Sequence, residues 1–482
     1  MSPLSRTVRV RMTASQTPIS ASGLTGRVLR GTMVTFAGFG ATQAIRLAGN
    51  LILARLLFPE AFGVMALVTV LMVGLAMLSD LGISPAIQGS RRGDDPEFLD
   101  TAWTLNLMRG AVLFVVACAL AWPMAVFYTA PELTQLIPVA ALSLLIHALE
   151  PTRVDTAERH LLLGRVTALE LAAQAVALVA MVVAALATGS VWALVVGSLV
   201  QATTRTILAW RVLPGHANRL RLERPAVREL VHFGKWIFLS TVAGFLVQQA
   251  DKLVLGRFLG MTELGLYNIG FFLASFPLML GTTLVVRLMI PVYRESPPSA
   301  SAANFARLRR IRAGLTLALV AMMAPLVLLG PWLVGLLYDA RYAAAGPVVV
   351  LVGLALMPQL VTLAYDRAAL AAGDSRGFFA VNGARAAALV ALLVALVPGF
   401  GVAGAAGALL GAAALGYPLQ IWLARRHGAW DPAHDLAASA AILVLTGLAA
   451  WLHGPALADL LVAAAQGHGT ALFVTGSTGI PV

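Results

Sequence analysis

Three polar side chains share one face of an otherwise apolar stretch early in the chain. Gln43, Arg46 and Asn50 are spaced three and four apart, so on a helix they stack along one side. Arg46 precedes Arg55 by nine residues, about 13 Å along a helix axis, too deep for easy snorkelling. A guanidinium at that depth calls for an anion, and phosphate oxygens match its fork of N–H donors bidentately. A later apolar stretch carries Gln248, Asp251 and Lys252. Gln248 and Lys252 share a face, whereas Asp251 points about 100° away from Lys252 and is not its simple partner. Asn106 and Arg109, one turn apart, and Arg287 complete the set. Each also has a plainer reading. Lys252 is five residues from Arg257 and can snorkel outward, and Arg287 can be a flank of its span. Asp366, Arg367 and Arg385 read as topology anchors.

Other chemistry is missing from the sequence. GFGVAG at 399–404 matches G-x-G-x-x-G but opens an apolar segment instead of following a strand, so the dinucleotide reading fails. There is no P-loop, no paired carboxylate motif, no Ser/His/Asp arrangement and no HExxH. The reading is therefore of a non-enzyme without a cofactor or metal. The single cysteine, Cys118, excludes an internal disulfide.

The elements that must carry these residues are membrane helices. Of 482 residues, 59% are hydrophobic and 12% charged, against about 25% charged in a soluble domain. Continuous apolar runs, long enough to span a bilayer at roughly 20 residues each, recur about fourteen times. The net charge of +12 sits in short loops, where it sets topology, and does not point to nucleic acid. Arginines crowd alternate loops: Arg91 and Arg92; Arg153, Arg159 and Arg165; Arg219, Arg221, Arg224 and Arg228; Arg307, Arg309, Arg310 and Arg312; Arg425 and Arg426. The intervening loops carry only Arg55, Arg257 and Arg341. This places both ends of the first twelve spans in the cytoplasm. No Lys or Arg follows Arg426, so two weaker spans, 436–452 and 455–475, lack such support.

The chain also repeats itself. LILARLLFPEAFG (51–63) matches LVLGRFLGMTELG (253–265), and GSVWAL from Gly189 echoes GVAGA from Gly401. An even number of spans precedes the long polar connection at 213–232, so the two halves run parallel, related by an axis along the membrane normal. The expected fold is all-α: a polytopic membrane protein of two parallel six-helix lobes, with about two C-terminal helices, around a central cationic cavity. Its parts are a disordered basic cytoplasmic tail (1–30), or the product of a start codon set too far upstream; a first lobe (31–212); a cytoplasmic linker (213–232); a second lobe (233–425); and two weaker helices with a tail (426–482). Spans 11 and 12 are expected at 377–397 and 402–424, and Pro123 is expected to kink span 3.

LILARLLFPEAFGVMAL, SDLGISPAI, AWTLNLMRG, the 233–270 stretch, LLYDARYAAAGPVVVLVGLALMP, AALAAGDSRG and VPGFGVAGAAGALL, in that order over about 30–425, resemble bacterial polysaccharide-biosynthesis flippases of the O-antigen and exopolysaccharide type. The resemblance implies membership of the multidrug/oligosaccharidyl-lipid/polysaccharide superfamily and two lobes opening alternately to each side of the bacterial inner membrane. It implies undecaprenyl-diphosphate-linked oligosaccharide as substrate, with a polysaccharide polymerase and export machinery as partners beside membrane lipid. It also implies headgroup contacts from cationic residues on spans 1 and 7, where Arg46 and Lys252 stand. A cation-coupled drug exporter of the same superfamily would favour buried carboxylates over arginines. A membrane polymerase or ligase would carry a large outer loop, and none is present. The tail from Gln466 departs from the pattern.

Overall fold

The computed structural model describes residues 21–80 and 82–465. The described residues form sixteen α-helices and a short 3-10 turn, with no strand among them. In the first half these are α1 (Ala21–Leu56), α2 (Pro59–Leu78), α3 (Ile83–Gly89), α4 (Pro96–Phe127), α5 (Leu133–Ala148), α6 (Arg153–Arg159), α7 (Leu163–Thr188) and α8 (Trp192–Val212). The second half has α9 (Arg224–Phe258), α10 (Met261–Glu295), α11 (Ala302–Leu328), α12 (Gly330–Leu337), α13 (Ala345–Thr362), α14 (Asp366–Ala371), α15 (Ser375–Arg426) and α16 (Pro432–Ala465). Local chemistry sets several starts. Prolines occupy the first turns of α2, α4 and α9, where the missing N–H costs nothing. The side chains of Asp95, Ser301 and Asp374 cap α4, α11 and α15 by accepting from the backbone N–H of Glu97, Asn304 and Gly377.

Among the described residues nine helices are long and apolar enough to cross a membrane, or ten if the bent pair α5–α6 is one span, against the fourteen expected. Part of the difference lies in α15. Its 52 residues would extend about 78 Å, more than twice the ~30 Å hydrocarbon thickness. The chain reverses at Gly401, whose φ of 49° breaks the helix. Gly404 then lies against Leu396, Gly411 against Leu392 and Gly416 against Arg385, so α15 is two antiparallel arms that match the expected spans 11 and 12. Gly189, at φ 59°, turns α7 into α8 in the same way, which gives the second sequence echo its physical reason. Another part lies at the end of the chain, where the sequence predicts two spans. One continuous helix, α16, runs through Gly454 and Pro455 instead, and residues after 465 lie outside those described. α1 and α9, which carry most of the polar candidates, are not among the nine. One further expectation is corrected. The tail expected to be disordered over 1–30 is helical from Ala21, and residues 1–20 lie outside those described. Helix α4 continues in helical backbone through Pro123, where the kink is expected.

The helices of the first half pack on one another through α1 with α7, α4 with α5, and α8 with α5 and α7; those of the second half do so around α13. Helix α13 is buried along most of its length. Asp435 ties α16 to the second half, accepting from Tyr417 Oη at 2.8 Å, from Trp430 Nε1 at 3.1 Å and from Tyr365. The halves meet mainly where α2 packs on α9 and α10 and where α4 packs on α9.

The connection between the halves is shorter and tighter than expected. Helix α9 begins at Arg224, so only 213–223 is non-helical. Ala226 and Leu230 bury themselves against Ile87, Phe98, Leu99 and Ala102, which draws the start of α9 onto α3 and α4. The non-helical stretch lies along the first turns of α4. Asp100 Oδ1 accepts from Arg219 N at 2.9 Å and sits 2.7 Å from His216 Nε2. Thr104 Oγ1 accepts from Arg221 N and Thr101 Oγ1 from Glu223 N, each at 3.0 Å. Every second amide from Arg219 to Glu223 thus bonds to one helix face.

Candidate functional site

On α1, Arg46 is exposed and its guanidinium carbon stands 5.5 Å from the centre of the Phe272 ring on α10. No carboxylate of the described residues lies within ion-pair distance of it. One turn earlier, Gln43 is buried and donates from Nε2 to Met279 Sδ of α10 at 3.2 Å, leaving its Oε1 without a partner among the described residues. Asn50 instead bonds the carbonyl of Arg46 on its own helix, Nδ2 to O at 3.1 Å. Helix α1 therefore turns its polar face toward α10 of the other half, and Gln43 and Arg46 make that contact.

On α9, Lys252 is buried, with its Nζ 4.5 Å from the centre of the Phe271 ring. Contrary to the expectation from helix geometry, Asp251 and Lys252 do approach each other, with Oδ1 3.8 Å from Nζ. The ammonium lies beside the Phe271 ring and also donates to Gln249 Oε1 on its own helix at 3.5 Å. The other oxygen of Asp251 accepts from Tyr267 Oη at 2.7 Å. Gln248 is exposed, so the two residues read as one stripe on α9 lie in different surroundings.

Two adjacent phenylalanines of α10 thus stand under the two cations that the repeat places on its equivalent helices. Sequence reasoning passes over Phe271 and Phe272. The only trace is an FF pair in an apolar run, which gains meaning once the register of α10 against α1 and α9 is known.

Asn106 and Arg109 are placed elsewhere. Arg109 donates from Nη2 to the carbonyl of Ala76 at 2.7 Å, from Nε to Ser79 Oγ at 2.9 Å and from Nη1 to Asn106 Oδ1 at 3.2 Å. These bonds cap the last carbonyls of α2, where a cation is favoured by the helix dipole. Its guanidinium is therefore committed to α2 and not to the face shared by Arg46 and Phe272. The side chain of Arg287 lies outside those described. No group of histidine, cysteine or carboxylate side chains among the described residues is arranged to hold a metal ion.

At the opposite end of α2, the second half closes over the first. Tyr342 Oη donates to the Leu57 carbonyl at 2.9 Å, and Arg341 Nη2 donates to the carbonyls of Ala54 and Arg55 at 3.1 and 3.0 Å. Asp339 pairs with that arginine and its pKa is held below the usual carboxylate value by the hydrogen bond. In return, Tyr128 Oη of the first half donates to the Leu253 carbonyl of α9 at 3.3 Å.

Such an arrangement, long apolar helices all round with cations on faces where the two halves meet, is that of a polytopic helical membrane protein. The backbone resembles lipid II flippase MurJ in its inward closed conformation (TM-score 0.65, 11% identical, covering 89% of this chain and 100% of that one). It also resembles an inward-facing multidrug resistance MATE family transporter of the MOP superfamily (TM-score 0.56, 15% identical, covering 84% and 96%). The fold is that of this superfamily. More particularly, the chain belongs to the polysaccharide biosynthesis protein family, whose model matches residues 52–347. Among curated relatives, succinoglycan biosynthesis transport protein ExoT of Rhizobium meliloti strain 1021 is 24% identical over 63% of this chain and 61% of its own. Lipopolysaccharide biosynthesis protein WzxC of Escherichia coli K12 is 24% identical over 51% and 50%. Teichuronic acid biosynthesis protein TuaB of Bacillus subtilis strain 168 is 24% identical over 45% of each chain. The chain spans about half the length of the curated relatives it matches.

Proposed function

We propose that this protein is a flippase of the bacterial cytoplasmic membrane. It carries an oligosaccharide linked to undecaprenyl diphosphate from the inner to the outer leaflet by alternating access between two six-helix lobes. The end bearing the 213–223 connection faces the cytoplasm, because arginines crowd the loops on that side. The observation that carries the reading is Arg46, a guanidinium with no carboxylate partner among the described residues, on the helix that faces the other half. A diphosphate headgroup supplies the missing counter-charge at Arg46, and Lys252, now 3.8 Å from Asp251, supplies a second cation on turning from that carboxylate to the ligand. The names of the relatives, which speak of biosynthesis and transport of surface polymers, agree with that substrate. Its product would pass to a polysaccharide polymerase and export machinery. A drug exporter coupled to a cation would rely on a free buried carboxylate. Asp251 is the nearest candidate, and it already has Tyr267 and Lys252 beside it.

The test is export of surface polymer in a strain lacking the native gene. Arg46→Ala is expected to abolish export while the protein still inserts. Arg46→Lys restores it only in part, because an ammonium keeps the charge and loses the bidentate geometry. Full export by the alanine variant at normal protein level would remove Arg46 from the site and with it the main support for an anionic substrate.

A further inference from the structure

The repeat that opens both halves meets itself in space. Gly63 ends the first copy and Gly265 the second, 202 positions apart. A Cβ added to Gly63 would collide with the carbonyl oxygen of Met261 and lie 2.8 Å from its carbon and 3.0 Å from Gly265 N. A Cβ added to Gly265 would collide with the carbonyl oxygen of Pro59 and lie 2.7 Å from its carbon and 3.1 Å from Gly63 N. Pro59 and Met261 are themselves 202 positions apart. The first turns of α2 and α10 therefore cross backbone to backbone, each helix offering a glycine to the first carbonyl of the other. Beside the crossing, Glu60 Oε1 accepts from Thr262 Oγ1 at 2.8 Å, and positions 60 and 262 are again equivalent. Tyr128 and Tyr342 latch the same end from either side.

Arg109 fixes where this crossing lies. Its side chain, on α4, caps the far end of α2, and α4 in turn carries the connection between the halves on its first turns. The glycine crossing is thus at the end of the bundle away from that connection, where the path between the halves would open to the other side of the membrane. Neither glycine is needed for backbone conformation, since both lie inside helices, where alanine is the better former. Only the closeness of the opposing backbone requires them.

We propose that Gly63 and Gly265 form a steric clasp that sets how stably this end of the path stays shut, and that a methyl group on either one shifts the protein toward a state open at this end. The inference rests on packing and needs no particular substrate. It is therefore tested without one, so its failure leaves the proposed substrate untouched, and failure of the Arg46 test leaves the clasp untouched.

Glu60→Cys and Thr262→Cys would be combined in the full-length chain in a Cys118→Ser background and oxidised in native membranes. With both glycines intact, the pair is expected to cross-link readily. Adding Gly63→Ala or Gly265→Ala is expected to lower the cross-linking yield at least five-fold. Gly260→Ala, at the same end but with nothing within 4 Å of an added Cβ, should leave the yield unchanged. An unchanged yield in the Gly63 and Gly265 variants would overturn the clasp, and so would an equal fall with Gly260→Ala. The added methyl group shifts the balance between two folded states. Failure of both alanine variants to accumulate as monodisperse protein would therefore also count against it.

Discussion

A cation inside an apolar helix costs at least about 2.5 kcal/mol at mid-bilayer, and this makes Arg46 and Lys252 conspicuous in the sequence. Their immediate partners are not. Phe271 and Phe272 meet the two cations through the packing of α10 against α1 and α9, a tertiary register that leaves no mark in local sequence. Cation–π contacts contribute about 0.5–2 kcal/mol according to how far the site is desolvated. On the proposed reading, the rings hold both cations forward in the absence of a headgroup. Phe272→Leu is expected to weaken binding of a diphosphate-linked lipid by purified protein about five- to thirty-fold, the equivalent of about 1–2 kcal/mol. Phe272→Tyr should retain most of the affinity. Unchanged binding in the leucine variant would mean that Phe272 only fills space beside Arg46. The same limit on sequence reasoning explains Arg109. Its depth suggests a functional cation, but its guanidinium is engaged with the end of α2, and only the fold shows where that helix ends.

Among the elements, long apolar helices are legible almost throughout, because the bilayer fixes both their length and their composition. The arms of α15 fall where their apolar runs predict, whereas α16 passes through a Gly-Pro pair that reads as a break. Pro455 removes one backbone donor, and the helix continues around it. Least legible is the connection at 213–223. Its polar composition suggests a loose linker, yet it is bonded to the face formed by Asp100, Thr101 and Thr104. The signal lies in those three residues, polar side chains in the first turns of an otherwise apolar helix. Asp100 is buried and satisfies both the Arg219 amide and the His216 ring. Leaving two such donors without an acceptor costs on the order of 2–3 kcal/mol. Asp100→Ala should therefore lower the Tm of the solubilised protein and speed tryptic cleavage at Arg219 and Arg221. Thr104→Val, which removes one acceptor at nearly constant volume, should cost about 1 kcal/mol. If neither variant changes the cleavage rate, the bonds to Asp100 and Thr104 do not hold the connection in solution.

At the scale of the whole molecule, charge is distributed unevenly between the two ends. The end bearing the connection carries most of the arginines. The other has Arg55, Arg257 and Arg341, of which Arg341 is neutralised by Asp339. On the proposed reading, a diphosphate-linked sugar carries about two negative charges outward across an inside-negative membrane, gaining about 2.3 kcal/mol per charge per 100 mV. Roughly 4–5 kcal/mol is then available without ATP at such a potential. The empty protein returns with its cationic face toward the negative side, so the potential favours both halves of the cycle. Flipping of a labelled lipid-linked sugar in proteoliposomes should follow an imposed potassium-diffusion potential at equal pH and sodium on both sides. A rate and final distribution indifferent to collapse or reversal of the potential would exclude this energetic account.

The contact between Glu60 and Thr262 has a meaning in terms of ancestry. Two copies of one half, assembled as a homodimer, would bring position 60 of each copy against its own image. A glutamate there would face a glutamate, and the like charges would push the mouth apart. A serine or threonine would face its twin with no acid to accept from it. Fusing two halves into a single gene lifts that constraint, because the two equivalent positions can then mutate separately. Here position 60 supplies the acceptor and position 262 the donor, while the glycines one turn further on are alike, since each must clear the same backbone. Duplication followed by fusion thus lets one chain keep the symmetric steric fit of a dimer and replace its self-facing position with a complementary pair.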